Sequence, residues 1–350
     1  MTEHSLITGR DGRAGRILMN RPKALNAIDL PMIRAMTRIL LEWREDPSVQ
    51  LVIVEGAGDR AFCAGGDIVA LRDDAMANRT ADVEAFFSEE YELNKIIASY
   101  PKPYVSLIDG VCMGGGLGVS IYGAYRVASE HALFAMPETI IGFFPDIGGT
   151  FFLPRLPGEL GAYLGLTGAR VRGADAVRAG FATHYVPRAR IGELSTALAI
   201  DGAGALGEFA ETLPEGTLAS EREAIDRVFA GSSVPAIVAR LNAEGTDWAA
   251  STLKLLNGVS PSACVWTLRA LRAGGTMNLA EALAMELRMT RVITKHPDFI
   301  EGVRAALVDR DRNPKWTPVS LNDVDPATID AVFASGQSGE APSPFGRGLG

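Results

Sequence analysis

Tyr104-Val105-Ser106-Leu107-Ile108-Asp109-Gly110, running on into Val111-Cys112-Met113-Gly114-Gly115-Gly116-Leu117-Gly118, is the stretch on which the reading of the fold turns. Its first five residues are an apolar run closed by Asp-Gly, the pattern of a strand entering a tight loop. The glycine cluster then opens an apolar helical stretch. The rhythm recurs upstream, where Leu51-Val52-Ile53-Val54 runs into Gly56-Ala57-Gly58 and then into Ala61-Phe62-Cys63-Ala64-Gly65-Gly66-Asp67-Ile68. Earlier still, Arg16-Ile17-Leu18-Met19 is a short apolar run closed by Asn20-Arg21-Pro22. A helix follows it: Asp29 suits the cap, Pro31 the first turn, and Met32, Met36, Ile39, Leu40 and Trp43 recur at helical spacing until Pro47. Strand, loop and helix in repetition predict an α/β core.

The texture changes near Gly192, after which alanine, leucine and glutamate at helical spacing dominate. The expected organisation is a core over 1–192, a mainly helical region over 193–334 and a disordered tail over 335–350, which lacks apolar periodicity. Within the helical region Ser260-Pro261 reads as a cap with a first-turn proline, Leu279–Ile293 as a long amphipathic helix, and Asp298 as a cap for a helix over 299–308.

The chain has 350 residues, 47% hydrophobic and 22% charged, the composition of a globular protein. Thirty-four Lys and Arg against 42 Asp and Glu leave a net charge of −8, the wrong sign for coating a nucleic acid. Cys63, Cys112 and Cys264 form no CxxC pair, so neither a disulfide framework nor a zinc site is expected. The N-terminus lacks the apolar core of a signal peptide and carries Glu3 and Asp11, which a transit peptide avoids; the expected address is cytoplasmic. The most apolar stretch, 104–123, is broken by Asp109, so no membrane partner is expected.

Glycine clusters after strands often bind dinucleotides, but no G-x-G-x-x-G runs through 110–123 and no phosphate-loop motif is present. Gly118-Val119-Ser120-Ile121-Tyr122 ends in tyrosine, so it is no nucleophile elbow. The glycines instead offer main-chain N–H groups: Asp67 can cap a following helix and leave the Gly66 N–H free to face an oxygen. Glu138 and Asp146, set among Met136, Pro137, Ile140, Phe143, Phe144 and Pro145, are candidates for acid–base work, because desolvation raises a carboxyl pKa toward the working pH. Asp146 equally suits a cap for a helix starting near Gly148. No histidine stands in a signature with Cys63 or Cys112, so both thiols read as packing residues, and His184 reads as strand or turn. No metal-ligand spacing is present.

AFCAGGDI (61–68), PYVSLIDGVCMGGGLG (103–118) and FAMPETIIGFFPDIGGTFFLPRL (134–156) together resemble the crotonase (enoyl-CoA hydratase/isomerase) superfamily. FFPDIGG, the paired Glu89-Glu90 of FFSEEY and the EGVRA…DRNPKW ending make the resemblance specific to its 3-hydroxyisobutyryl-CoA hydrolase branch. It implies a spiral of repeated ββα units with helices completing the C-terminal part, and an acyl-CoA thioester as substrate. The Gly66 and Gly115 N–H groups would hold the thioester oxygen, Glu138 and Asp146 would act at the reacting end, and Glu90 would contribute to the substrate pocket, although Glu90 also suits a solvated helix face. Coenzyme A would meet Lys23, Ala24 and the Ala64-Gly65-Gly66-Asp67-Ile68 loop; a lone lysine such as Lys23 equally suits solvent. Hydratases of the superfamily carry a glutamate where this chain has Gly118.

The implied activity is hydrolysis of 3-hydroxyisobutyryl-CoA, a step of valine breakdown, with Glu138 as general base or nucleophile and no metal or separate cofactor. The alternatives are a hydratase or isomerase on the same fold, and a non-catalytic acyl-CoA-binding protein. Trimers or hexamers are the implied assemblies.

Overall fold

The computed structural model describes residues 5–334, so the tail expected over 335–350 lies outside the described residues. Its strands are β1 (Leu6–Asp11), β2 (Ala14–Met19), β3 (Leu51–Gly56), β4 (Ala61–Cys63), β5 (Tyr104–Ile108), β6 (Val111–Met113), β7 (Tyr125–Ala128), β8 (Leu133–Ala135), β9 (Val171–Arg172) and β10 (His184–Tyr185). They form a six-stranded sheet ordered β1-β2-β3-β5-β7-β10 and a four-stranded sheet ordered β4-β6-β8-β9. From β3 to β8 the chain places alternate strands in alternate sheets, and neighbours within each sheet run parallel. That alternation is the spiral of ββα turns that the resemblance implies. β1 pairs antiparallel with β2, an edge hairpin that the polar alternation of Leu6–Asp11 hides from a search for apolar runs.

The helices of the first half are α1 (Leu30–Glu45), α2 (Ile68–Met76), α3 (Thr80–Ala98), α4 (Gly115–Gly118), α5 (Gly149–Phe152), α6 (Leu160–Thr167), α7 (Gly173–Ala179) and α8 (Arg188–Asp201). Asp29 caps α1 by accepting the Met32 N–H, and Met32, Ile33, Met36, Leu40 and Trp43 form its buried face. α8 crosses the boundary expected at 192/193: Leu194, Leu198 and Ala199 pack with Leu51, Ile53, Val105 and Val127 in a second core on the outer face of the larger sheet. The first residues of the expected helical region therefore complete the α/β core.

Beyond α8 come α9 (Leu206–Phe209), α10 (Leu218–Phe229), α11 (Val234–Glu244), α12 (Asp247–Gly258), α13 (Pro261–Gly274), α14 (Leu279–Ile293), α15 (Pro297–Val303) and α16 (Pro326–Ala334). The main hydrophobic cluster runs without a break from Ile17 to Val332. α13 packs on α5 and α6, α14 on α3 and α5, and α15 on the 3-10 turn Glu138–Ile141. This layer braces the segment that carries Glu138 and Asp146: Ser260 N–H donates to Thr139 O at 3.2 Å and Trp266 Nε1–H to Phe143 O at 3.2 Å.

Asp298 does not cap its helix. With Pro297 in the first turn the cap falls on His296, whose ring nitrogen accepts the Asp298 N–H at 3.2 Å. The Asp298 carboxylate turns inward and accepts the Ser260 hydroxyl at 2.5 Å and the Thr317 N–H at 2.7 Å. No helix of the described residues is long and apolar enough to cross a membrane.

Candidate active site

β4, β6 and β8 are parallel neighbours, and each ends at a segment singled out above: Gly65-Gly66 after β4, Gly114-Gly115 after β6 and Glu138 after β8. Ligand sites at the carboxyl ends of parallel strands follow from the way each strand hands its chain to a loop on the same side of the sheet. Gly66 bridges Ile28, but the bridge uses Gly65 O and the Asp67 N–H, which leaves the Gly66 N–H outside it. Gly115 is the first residue of α4, where an N–H has no acceptor within the helix. The two bends touch: a Cβ on Gly115 would lie 3.2 Å from the Gly66 nitrogen and 2.7 Å from Glu90 Oε1. Gly114, at φ +47°, brings its backbone so close to Glu138 that a Cβ there would meet Oε1 at 2.8 Å. The two glycine bends thus lie against each other, with the Glu90 and Glu138 carboxyls beside them.

Glu90, Glu138 and Asp146 are 2%, 7% and 6% exposed. Burial drives the Glu138 carboxyl well above its ordinary range, with the charges of Asp146 and Glu90 adding to it. Burial and then Asp146 do the same to Glu90. Asp146 is pushed up to about 7 by burial, against the Tyr91 hydroxyl that donates to its Oδ2 at 2.9 Å. Burial and mutual repulsion raise all three carboxyls, which brings proton exchange closer to the working pH than in a solvated acid. Glu90 Oε1 and Glu138 Oε2 are buried with no hydrogen-bond partner among the described residues, which leaves them available to a ligand.

α3 supplies Glu90 because Phe86, Glu90 and Asn94 recur every fourth residue on its inner face. Glu89 and Glu92 take the solvated role: Glu89 pairs with Arg34 at 2.7 Å and Glu92 with Lys95. The capping expectation for Asp146 is corrected. Ile147 at φ +53° and Gly148 at φ +81° form a left-handed turn that carries the Asp146 side chain off the axis of α5 toward Tyr91. For β-branched Ile147 such a backbone costs on the order of 1–3 kcal/mol. The N-terminus of α5 is capped instead by Glu286 from α14.

The expected coenzyme A segments lie side by side next to this point. Ala64 N–H donates to Leu25 O at 3.0 Å, and Asn26 Nδ2 donates to Ala57 O at 2.9 Å and Ala61 O at 2.8 Å. Lys23 and Ala24 are exposed on the 3-10 turn Pro22–Ala24, and Ile68 opens α2. Asp67 is committed elsewhere: it pairs with Arg21 at 2.9 Å and caps α2. Burial raises the Cys63 thiol to about 12 and the Cys112 thiol also goes up, as befits packing residues. The residues unforeseen from sequence are Tyr91, Asn94 and Glu286. The signal for Glu286 was a lone acid on the apolar face of α14, beside Ala282, Leu283, Met285, Met289 and Ile293.

Residues 14–333 match the family profile described as enoyl-CoA hydratase/isomerase. The 3-hydroxyisobutyryl-CoA hydrolase, mitochondrial, of Xenopus tropicalis is 46% identical over 96% of this chain and 91% of its own. That of Homo sapiens is 42% identical over 94% and 88%. Among solved structures, a carnitinyl-CoA dehydratase from Mycobacterium thermoresistibile superimposes with a TM-score of 0.91 at 41% identity, covering 95% of this chain and 97% of that one. An enoyl-CoA hydratase from Rhodobacter sphaeroides 2.4.1 superimposes with a TM-score of 0.89 at 41% identity, covering 94% and 97%. The cytoplasmic address expected from the N-terminus is overturned by the curated relatives, which are named as mitochondrial and point to the mitochondrion. The match over nearly the whole chain, and the shared fold, mean that this chain belongs to the enoyl-CoA hydratase/isomerase family, in the branch of the 3-hydroxyisobutyryl-CoA hydrolases.

Proposed function

We propose that the protein hydrolyses 3-hydroxyisobutyryl-CoA, or a related short 3-hydroxyacyl-CoA, to the free acid and coenzyme A, as a step of valine breakdown. The observation that supports this reading is that the Gly66 and Gly115 bends lie against each other with the Glu90 and Glu138 carboxyls beside them, while the charge of Asp146 acts on both carboxyls. The thioester oxygen sits between the two N–H groups, which stabilise the negative charge that builds on it; losing one such donor costs about 2.7–4 kcal/mol of barrier. Glu138 takes a proton from water as the water oxygen bonds to the carbonyl carbon, or attacks that carbon itself to give an anhydride that water then opens. In both courses the carbon–sulfur bond breaks and the sulfur leaves with a proton as coenzyme A thiol. Asp146, held by Tyr91, orients the 3-hydroxyl or the attacking water, and Glu90 faces the acyl group. Lys23, Ala24 and the 64–68 loop receive the coenzyme A moiety, with Asp67 fixing the loop through Arg21. No metal or separate cofactor enters these steps.

The two superimposing structures, named as a carnitinyl-CoA dehydratase and an enoyl-CoA hydratase, favour a second reading, hydration or dehydration of an enoyl-CoA. Gly118 speaks against it: it stands where hydratases carry a glutamate, and a Cβ there would press on Asn94 Nδ2 at 3.0 Å and Ile147 Cβ at 3.2 Å. Thiol release from purified protein separates the two. Hydrolysis of the 3-hydroxyacyl thioester is expected, with Glu138→Gln and Asp146→Asn each slower by about 10²–10⁴-fold. Near-wild-type turnover in both variants, or loss of crotonyl-CoA without free thiol, defeats the assignment.

A further inference from the structure

Glu286 is fully buried on α14, far along the chain from the residues assigned above, yet it contacts the turn that follows Asp146. Its Oε2 accepts the Gly148 N–H at 2.7 Å, and its Oε1 accepts the Thr150 N–H at 2.9 Å and the Thr150 hydroxyl at 2.6 Å. The turn it holds is strained, although the Phe151 and Phe152 N–H groups both donate to Gly148 O at 2.9 Å. Ile147 sits in the left-handed region at φ +53°, which a β-branched residue adopts only when its surroundings impose it. The other restraints are Tyr122, whose hydroxyl donates to Ile147 O at 2.8 Å, and the Gly149 N–H, which donates to Asp146 O at 2.6 Å. Tyr91 then fixes the carboxyl at 2.9 Å.

We infer that Glu286 is a positioning residue for the hydrolysis: it clamps the strained Ile147-Gly148 turn and thereby holds the Asp146 carboxyl where it orients the 3-hydroxyl or the attacking water. The inference rests on the role proposed above for Asp146. A carboxylate suits the task because it accepts from three donors at once, whereas glutamine keeps the shape but turns an NH₂ toward the Gly148 N–H or the Thr150 pair. The expected signature is a fall in kcat with little change in KM, since the acyl-CoA contacts lie elsewhere. A misplacement of about 1 Å can cost about a hundredfold in rate.

The test is a double-mutant cycle on thioester hydrolysis. Glu286→Gln is expected to lower kcat by about 10–100-fold while KM stays within about threefold. In an Asp146→Asn background the same change is expected to cost less than about twofold, because the group it positions is already gone. Thr150→Val removes one of the three donors and keeps the fold; it is expected to show a loss of several-fold with the same non-additivity, and it carries the comparison where Glu286→Gln does not fold. Losses that multiply in the double variants, or a raised KM at unchanged kcat, overturn the inference. Wild-type turnover by Asp146→Asn overturns it together with the role of Asp146. A crippled Asp146→Asn beside fully active Glu286→Gln and Thr150→Val overturns this inference alone.

Discussion

Tyr91 donates one hydrogen bond to Asp146, and that bond works against the burial that raises the carboxyl to about 7. A hydroxyl bonded to a carboxyl oxygen favours the ionised form, so removing it raises the pKa further. If Asp146 acts ionised, kcat/KM climbs as pH rises through its pKa, and Tyr91→Phe is expected to move that limb to higher pH with a lower plateau; a limb that stays in place or moves to lower pH contradicts the arrangement. The legibility of the site differed from residue to residue for physical reasons. Glu138 stands among Met136, Pro137 and Ile140, where a solvated charge has no place, so its neighbours announced it. Glu89 and Glu90 are adjacent and chemically alike, and only the phase of α3 decides which faces the interior. Asp146 left two readings open because a short acid before a helix start is also the ordinary cap, and nothing local says that Ile147 turns left-handed.

The elements that were legible are the ones with enough residues to show a period. α1 and Leu279–Ile293 repeat their apolar positions over several turns, and β3 and β5 are buried runs bounded by glycine or Asp-Gly. β4, β6 and β8 are three residues each, too short for a period, although they carry the loops that matter. Beside the short 3-10 turn Pro22–Ala24, which closes on its own main-chain bonds, one side chain ties the segment to β4. Buried Asn26, at φ +57°, accepts the Arg21 N–H at 3.0 Å and donates to two carbonyls around β4. Asn26→Ala is expected to cost about 3 kcal/mol, the upper end for a buried polar side chain whose partners are left unpaired. A urea midpoint unchanged from wild type would show that this tie is dispensable.

The chain as a whole does not divide where its composition changes. Its main cluster joins β2 to α16, and α8 is shared between the sheet and the region that follows. The core over 1–192 and the helical region over 193–334 are therefore expected to unfold as one cooperative unit. Trp43 lies in α1 and Trp266 in α13, so variants keeping one or the other report on opposite ends of the chain. Their denaturation midpoints by fluorescence are expected to coincide with each other and with far-ultraviolet circular dichroism; separate midpoints would show that the two regions unfold independently. The bracing of 138–150 by α13, α14 and α15 has a consequence for biosynthesis. Chains emerge from the ribosome N-terminus first, so the glycine bends are made long before the helices that steady their neighbouring carboxyls. A nascent polypeptide stalled ahead of α13 would display the parts of an esterase without its competence, and thioester cleavage would begin only as translation nears its last codons.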